Sequence, residues 1–540
     1  MNKKKRKTNK INELLLLSCC IVLSNCSKGN YRQHQYKLAD YYKNENTTKA
    51  EKLVKKDKFL PEKDNILLKT IEKGTAYYYN QKYCNAIKEF NKAGEIVKEQ
   101  QTKSIGSGIT STVGVDDGIF YGETFEKSLI NFYKSLTNYH IYYRGTCEKI
   151  EEPEENEKID DKKQQDKNKD KQNINSNGEK NLTNVEKQSY LRASRANIIY
   201  WDSWINSRIV PDDDKYYIED VLLKLWGAFI HEQIGGNFEL QIAKQLYEDA
   251  KRIAKNRYVV YQTFNNQNDN FVKNIADRYK RSKFIEKDNL YIQDIVNYCD
   301  SQIKRLQNKI KTNLAIIIHD NTVSLKKVNK KTKSTHTILA SASPSVLGML
   351  AVLSILNTTY EEPYIDVYEN EYRYFYEIKQ NDRVIKKQSL VLSEPISDIN
   401  YMNLQEKLSG IQTRLFAGLV AKYIAVLTPI AAAYTLAMNS NSSYIQLAAT
   451  AIAIASYASA SYAIEQSAMV DIRQWVSLPA NIFIATDSLK PGKYTIKISK
   501  RSNQANNISN DADTLQREKI ILQKEIEISD KMNFIDIKTV

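Results

Sequence analysis

The sequence predicts an α+β protein: an N-terminal helical-repeat array followed by a small antiparallel β domain carrying an Ala-rich helical hairpin. Three observations lead there. Residues 61–147 and 188–312 carry apolar side chains at helical spacing over helix-long stretches. From residue 313 the pattern turns to short β-branched and aromatic runs bounded by turn residues. Two uncharged stretches, 337–360 and 423–464, interrupt those runs.

In chain order, the first element is an export segment, residues 1–25. Six cations stand in the first ten residues, and an apolar run from Leu14 to Leu23 follows, broken only by Ser18. That run is shorter than the roughly 20 residues a bilayer needs, so it reads as a secretory signal and not a span. It ends Leu23-Ser24-Asn25-Cys26. This ending resembles the bacterial lipobox, with Asn25 where Gly, Ala or Ser is usual. The resemblance implies cleavage before Cys26, a lipid on Cys26 and a polar tether over 26–60. Ser27 after that cysteine implies, by the sorting rules of some bacteria, an outer-membrane anchor facing the periplasm.

Of six cysteines, Cys84, Cys147 and Cys299 lie beyond the export segment. One pair can close in an oxidising compartment, and we expect Cys84 with Cys147, both in the helical part. The formal charge is +15, and removing residues 1–25 leaves about +10 spread over the mature chain. Only Lys326–Lys333 is densely basic, so no nucleic-acid partner is expected.

Residues 148–187 separate two helical parts. Between Glu151 and Gln172 the only non-polar residues are Pro153 and Ile159, too few to offset the entropy of ordering, so a disordered insertion is expected. Helical periodicity resumes over 188–312. The β domain, 313–540, then offers Leu314–Ile318, Tyr364–Tyr368, Tyr372–Ile378, an Asn381-Asp382 turn, Val384-Ile385, and Ile482–Ala485. Pro491-Gly492 suggests a hairpin into Tyr494–Ile498, and 520–528 and 534–540 add further strands. Within it, a helical hairpin spans 401–470, its uncharged core 423–464 turning at Asn439–Ser442. Ala and Ser dominate that core, which favours a buried or membrane-surface hairpin over a spanning one.

One local pattern is specific. Gly74, Tyr77, Tyr83, Ala86, Phe90 and Ala93 follow the order and spacing of a helix–turn–helix unit and resemble a tetratricopeptide repeat. Gly74 and Ala86 stand where two helices touch, and Tyr77, Phe90 and Ala93 fill the groove against the next unit. Weaker echoes are Phe125, Ser128, Phe132, Ser135, and then Ala243, Tyr247, Ala250 after Trp226-Gly227-Ala228. In this order, Gly122 to Leu136, Ala228 to Ala250, and Asp471-Ile-Arg473-Gln-Trp475 followed by Leu478-Pro479 resemble an uncharacterised family of bacterial lipoproteins with such repeats and a C-terminal β region. The resemblance covers most of 60–500. It implies an envelope location and supplies no catalytic residues.

Chemical motifs are sparse. No two of His34, His140, His231, His319 and His336 stand four apart, and His231-Glu232 lacks a second zincin histidine. Gly106-Ser-Gly108 lacks the Gly-Lys-Ser/Thr of a phosphate loop, and there is no GxSxG. Asp212-Asp213-Asp214 reads as a helix cap more readily than a calcium loop. No catalytic residue, metal or cofactor is expected.

The favoured function is a non-catalytic scaffold that binds other envelope proteins through the repeats, attached to the membrane by the lipid on Cys26. The alternatives are a membrane-inserted component using 423–464 and an envelope-polymer hydrolase with paired carboxylates. Tyr77, Tyr78 and Tyr79 fan over about 200° of a helix, so with Tyr77 packed, Tyr78 or Tyr79 is expected to be exposed for a partner. Asp471 and Arg473 are expected to pair at a structural seam, with Trp475 packed beneath them.

Overall fold

The computed structural model describes residues 30–539 apart from 57–58, 61, 107–118, 152–174, 176–177, 208–216, 218, 265–288, 335–356, 369, 371, 440–441, 445, 449–469, 503–517 and 530. The expected export segment, Cys26, Asp212–Asp214, His336, most of the expected insertion and most of the expected second hairpin arm lie outside the described residues. The chain divides into two compact units. Unit 1 takes residues 1–35, 326–365 and 404–473, and unit 2 takes 36–325, 366–403 and 474–540.

The tether expected over 26–60 is largely helix. Helices α1 (Asn30–Lys43) and α2 (Thr47–Val54) fill it. Leu38 and Tyr42, one turn apart, are fully buried, as are Ala50 and Val54. Four well-spaced anchors suffice for two short helices once a larger body covers them, and polar residues between them hid that stripe from a composition reading.

In unit 2 the array continues with α3 (Glu62–Tyr79), α4 (Tyr83–Gly106), α5 (Thr124–Arg144), α6 (Asn184–Ser207), α7 (Val221–Ile234), α8 (Asn237–Asn256) and α9 (Leu290–Gln307), each packed on the next. The small residues do what their spacing required. A Cβ on Gly74 would lie 2.8 Å from the Phe90 ring, so only glycine lets α3 and α4 approach there. Ala86, Phe90 and Ala93 are fully buried. Ser128 and Ser135 serve a second purpose: the buried indoles of Trp201 and Trp226 donate to their hydroxyls, the latter at 2.9 Å.

The insertion is tied at both ends. Strands β1 (Thr146–Cys147) and β2 (Lys180–Asn181) pair antiparallel, and Cys84 is disulfide-bonded to Cys147 with the Cα atoms 5.7 Å apart. Cys299 is free and buried. Glu151 accepts from Tyr77 Oη at 2.9 Å and forms an ion pair with Lys55 at 2.6 Å. These contacts place the described flanks of the insertion within the folded body, and α6 starts at Asn184, earlier than the expected 188.

The β part of unit 2 has two four-stranded sheets, ordered β12-β3-β9-β8 and β11-β10-β6-β7. The strands are β3 (Leu314–Asp320), β6 (Tyr372–Gln380), β7 (Arg383–Ser389), β8 (Val391–Glu394), β9 (Asn481–Asp487), β10 (Gly492–Ser502), β11 (Glu518–Ile528) and β12 (Asn533–Thr539). Expectation fails at two points. The sheets are not wholly antiparallel, because β12 runs parallel to β3. Nor do β9 and β10 form a hairpin across Pro491-Gly492: they belong to different sheets. Their sequences explain the separation. Asn481–Asp487 is buried at every position, whereas Gly492–Ser502 alternates in its first half. A strand buried on both faces belongs to a central layer, and an alternating one to a layer with a single covered face. The Asn381-Asp382 turn does join β6 and β7, with both residues at positive φ, 46° and 61°, as a two-residue hairpin loop requires.

The first sheet is the middle layer of unit 2. On one side β6 lies against it: Tyr374 Oη donates to Asp320 at 2.6 Å, and Tyr376 Oη to Asp487 at 2.8 Å. On the other side are helices. Tyr298 of α9 bonds Thr486 at 2.7 Å, and α3 and α5 approach β3 and β12 through polar side chains described below.

Unit 1 contains the hairpin of β4 (Lys326–Ser334) and β5 (Asn357–Ile365) and the part of α10 (Ile396–Met438) from Leu404 onward. Strand β5 thus covers only the beginning of the expected strand 364–368. Arg32 grips Glu361 through two bonds, 2.9 and 2.6 Å, and donates to the carbonyl of Val470 at 2.8 Å. Gln412 of α10 bonds Glu362. Helix α10 starts at Ile396, before the expected 401, and a new helical turn begins at Ser442, close to the expected bend. Among the described residues no helix is long and apolar enough to cross a membrane.

Candidate functional site

The face of the array expected to receive a partner is occupied by the chain's own C-terminal region. Three helices of unit 2 form a groove: α3 offers Glu72 and Thr75, α4 offers Phe90, and α5 offers Glu126 and Tyr133. The segment Trp475-Val476-Ser477 lies in it. Glu126 accepts the Trp475 backbone N–H at 2.6 Å, and Glu72 accepts those of Val476 at 2.6 Å and Ser477 at 3.3 Å. The Trp475 indole is fully buried, donates to Thr75 Oγ1 at 3.0 Å and stands 5.5 Å from the Tyr133 ring.

Glu126 has a second role. Its other oxygen accepts the N–H of Glu123 at 2.6 Å, completing a capping box on α5. The residue that starts α5 therefore also holds the segment in the groove. Glu72 is almost wholly buried, and burial pushes its carboxyl up to about 8, although the bonds from Ser477 and Val476 pull the other way. At neutral pH it is mostly protonated.

Beside this groove, Asp536 of β12 gathers the polar side chains of α3, α5 and β3. His140 Nε2 lies 2.6 Å from Asp536 Oδ2 and His319 Nε2 lies 3.1 Å from Oδ1. Tyr78 Oη donates to Oδ2 as well. Burial by itself would raise the Asp536 carboxyl, but His319 and His140 hold it well below the usual carboxylate range. Burial pushes His140 down against the pull of Asp536. Two residues on, burial lowers Lys538 to about 7, and its Nζ lies 4.1 Å from the centre of the Tyr42 ring and 4.2 Å from that of Tyr79.

A third polar centre joins α7 to β8. Asp220 caps α7 by accepting Leu223 N at 3.0 Å, and it takes a bond from Tyr217 Oη at 3.0 Å. Glu394 of β8 takes one from Tyr258 Oη at 2.9 Å. The two carboxyls bond to each other and both are fully buried.

The expected site residues fare differently. Tyr78 is buried at 3% exposure, so it offers no contact surface, and Tyr79 is only partly exposed, its ring under Lys538 and its hydroxyl 3.4 Å from that of Tyr133. The expectation counted one covered face on α3. Both its α4 side and its sheet side are covered, and Ala76, Tyr77 and Tyr78 are all buried. Asp471 and Arg473 do pair, through Nε at 2.9 Å and Nη2 at 2.6 Å, and the division between the units falls between Arg473 and Gln474. Trp475 does not pack under that pair. It belongs to the groove of unit 2, where a deep aromatic slot buries more of its surface than a surface ion pair would. Glu72, Glu126, Asp220 and Glu394 are all buried.

Asp536, Glu72 and Glu394 escaped the sequence reading, and His140 and His319 were weighed there only as metal ligands. Their partners lie tens to hundreds of residues away, and no local spacing encodes such a meeting. The one available signal was Trp475 within Asp471–Pro479, the segment already singled out. No family model, curated protein or solved structure matches the chain.

Proposed function

We propose that this protein is a lipid-anchored bacterial envelope lipoprotein that acts as a non-catalytic scaffold for other envelope proteins. The observation that carries the reading is the filled groove. The convergent polar groups of unit 2 hold the chain's own segments in register, and each is engaged with another buried group. That use of polar residues suits a rigid platform better than a catalyst, which keeps at least one acid or base open to a substrate.

With the groove occupied, partner contact moves to the outward surface of the helices. The best-supported patch is on α6 and α8. Arg195 and Glu239 form a bridge of 2.8 Å between them. Ile199, one turn beyond Arg195, is 45% exposed, its neighbour Tyr200 is 48% exposed, and Phe238, next to Glu239, is 71% exposed. Apolar and aromatic side chains gathered beside one ion pair make an anchor of the kind that protein interfaces use.

A photo-crosslinking side chain at Tyr200 or Phe238 in living cells tests this. The reading expects a discrete protein adduct at both positions, weakened at least tenfold when the other residue of the pair is changed to Ala. Equal adducts with and without that change, or none at either position, would refute it.

A further inference from the structure

We propose that the outward face of the second sheet binds a carboxylate at Arg373 and Arg501, over the ring of Phe375. On β6 the side chains of Tyr374, Tyr376 and Ile378 are buried, so Arg373, Phe375 and Glu377 take the opposite face. On the neighbouring β10, Arg501 stands directly opposite Arg373, and Ser499 directly opposite Phe375. The guanidinium carbons of Arg373 and Arg501 lie 5.4 Å and 5.1 Å from the centre of the Phe375 ring. β6 and β10 are the two central strands of the sheet, so a further strand flanks the pair on either side.

Like charges directly opposite each other destabilise a sheet. Attraction to the ring offsets part of that repulsion and holds both guanidiniums against one aromatic platform. The neighbouring carboxylates offset more, but not all of it. Asp294 accepts from Nη2 of Arg373. Glu518 lies 3.8 Å from Nη2 of Arg501, too far for a hydrogen bond, and it also serves Ser499 and, at 3.6 Å, Lys387. Among the described residues the Arg501 side chain therefore makes no hydrogen bond, Arg373 engages one nitrogen, and the Nε of both is buried without a partner. The two side chains are 18% and 29% exposed, so a ligand can reach them while their neighbours limit their movement.

The local charge names the ligand. Four cations, Arg373, Lys387, Lys497 and Arg501, adjoin the ring against three carboxylates, Asp294, Glu377 and Glu518, an excess of one. A singly charged group with two planar acceptors matches two guanidinium forks, and that group is a carboxylate. A phosphate monoester would bring more charge than the site leaves uncompensated. Ile520, 51% exposed, continues the row of Phe375 and Ser499 onto β11 and offers apolar surface to the carbon that bears the carboxylate.

Benzoate is the probe, titrated into the full chain by calorimetry at constant ionic strength, with benzamide as its uncharged counterpart. Benzoate should bind and benzamide should not. Arg373→Gln and Arg501→Gln should each weaken benzoate at least tenfold, whereas Lys493→Gln, at an exposed cation further along β10, should leave it within twofold. Arg501→Lys keeps the charge and loses the planar fork, so it should weaken benzoate nearly as much as Arg501→Gln. No heat from benzoate, equal affinity for benzamide, or parental affinity in either Arg501 variant would overturn the proposal and leave the arginines to solvent alone. A photo-crosslinking side chain at Ile520 in living cells separates the two sources of a carboxylate. A protein adduct that Arg501→Gln abolishes assigns it to an acidic residue of a partner, and no adduct beside intact benzoate binding assigns it to a small acid. None of these readouts involves Tyr200 or Phe238, so they stand whatever those positions capture.

Discussion

Replacing Glu72 by Gln should make the protein relatively more stable as pH rises. The carboxyl sits in the groove with a value of about 8, raised from 4.5 chiefly by burial. Since the folded value lies above the unfolded one, its contribution is fully present below about pH 4.5 and is lost as pH rises through about 8. The loss amounts to about 3 kcal/mol at pH 7 and approaches 5 kcal/mol above pH 8, from 1.36 kcal/mol per unit. Glutamine removes this ionisation but keeps only one accepting oxygen for the amides of Val476 and Ser477, which costs about 1–3 kcal/mol at any pH. Glu72→Gln should therefore be the less stable protein at pH 5 and the more stable one at pH 8.5, gaining about 4 kcal/mol on the parent across that interval. Urea unfolding of both proteins at the two pH values measures it. A difference between variant and parent that stays constant within about 1 kcal/mol would refute the reasoning.

Three further expectations follow from the same contacts. Trp475→Ala should destabilise by about 3–5 kcal/mol and expose 474–480 to proteolysis, seen as a lower melting temperature and a new cleavage site, because it empties a fully buried slot and leaves the Thr75 hydroxyl without its indole donor. Cys84→Ser with Cys147→Ser should cost about 4 kcal/mol for opening a 63-residue separation, measured by denaturant midpoint, and reductant should then have no further effect on the variant. Cys26→Ser should abolish incorporation of a radioactive fatty acid, and equal labelling of the variant would remove the lipid anchor from the proposed function.

What could be read in the sequence was whatever depends on neighbours. Gly74 and Phe90 lie 16 positions apart in one helical pair, so their contact follows from helix geometry alone, and the Asn381-Asp382 turn follows from which residues accept positive φ. Cys84 with Cys147 was within reach because only three cysteines lie beyond residue 26. What could not be read depends on which surfaces the third dimension covers. Tyr78 was expected outside because a helix normally has one wet face; α3 has none there, since strand β12 brings Asp536 to it from the far end of the chain. The same blindness hid the split of β9 and β10 into two sheets. Pro491-Gly492 specifies a turn, whereas the partner on either side of that turn is chosen by burial over hundreds of residues.

The centre at Asp220 and Glu394 shows how far this protein commits acidic groups to architecture. Burial raises both carboxyls, and Asp220 pushes Glu394 up further, whereas the bonds that Asp220 accepts from Leu223, Glu394 and Tyr217 pull Asp220 down. Two adjacent buried charges repel strongly in a poorly screening interior, which favours a proton held by Glu394 and donated to Asp220. The proton joins the cap of α7 to β8, and Tyr217 and Tyr258 close around it. Glu72 does the same for the Trp475 segment. Asp536 reaches the same end by the opposite route, remaining ionised because His140, His319 and Tyr78 all converge on it. Both routes fix a β segment against a helix through groups that need one partner each, and a misplaced register would leave them buried and unmatched at a cost of several kcal/mol. Polar groups so used specify which strand lies where, which an apolar interface alone would leave loosely defined.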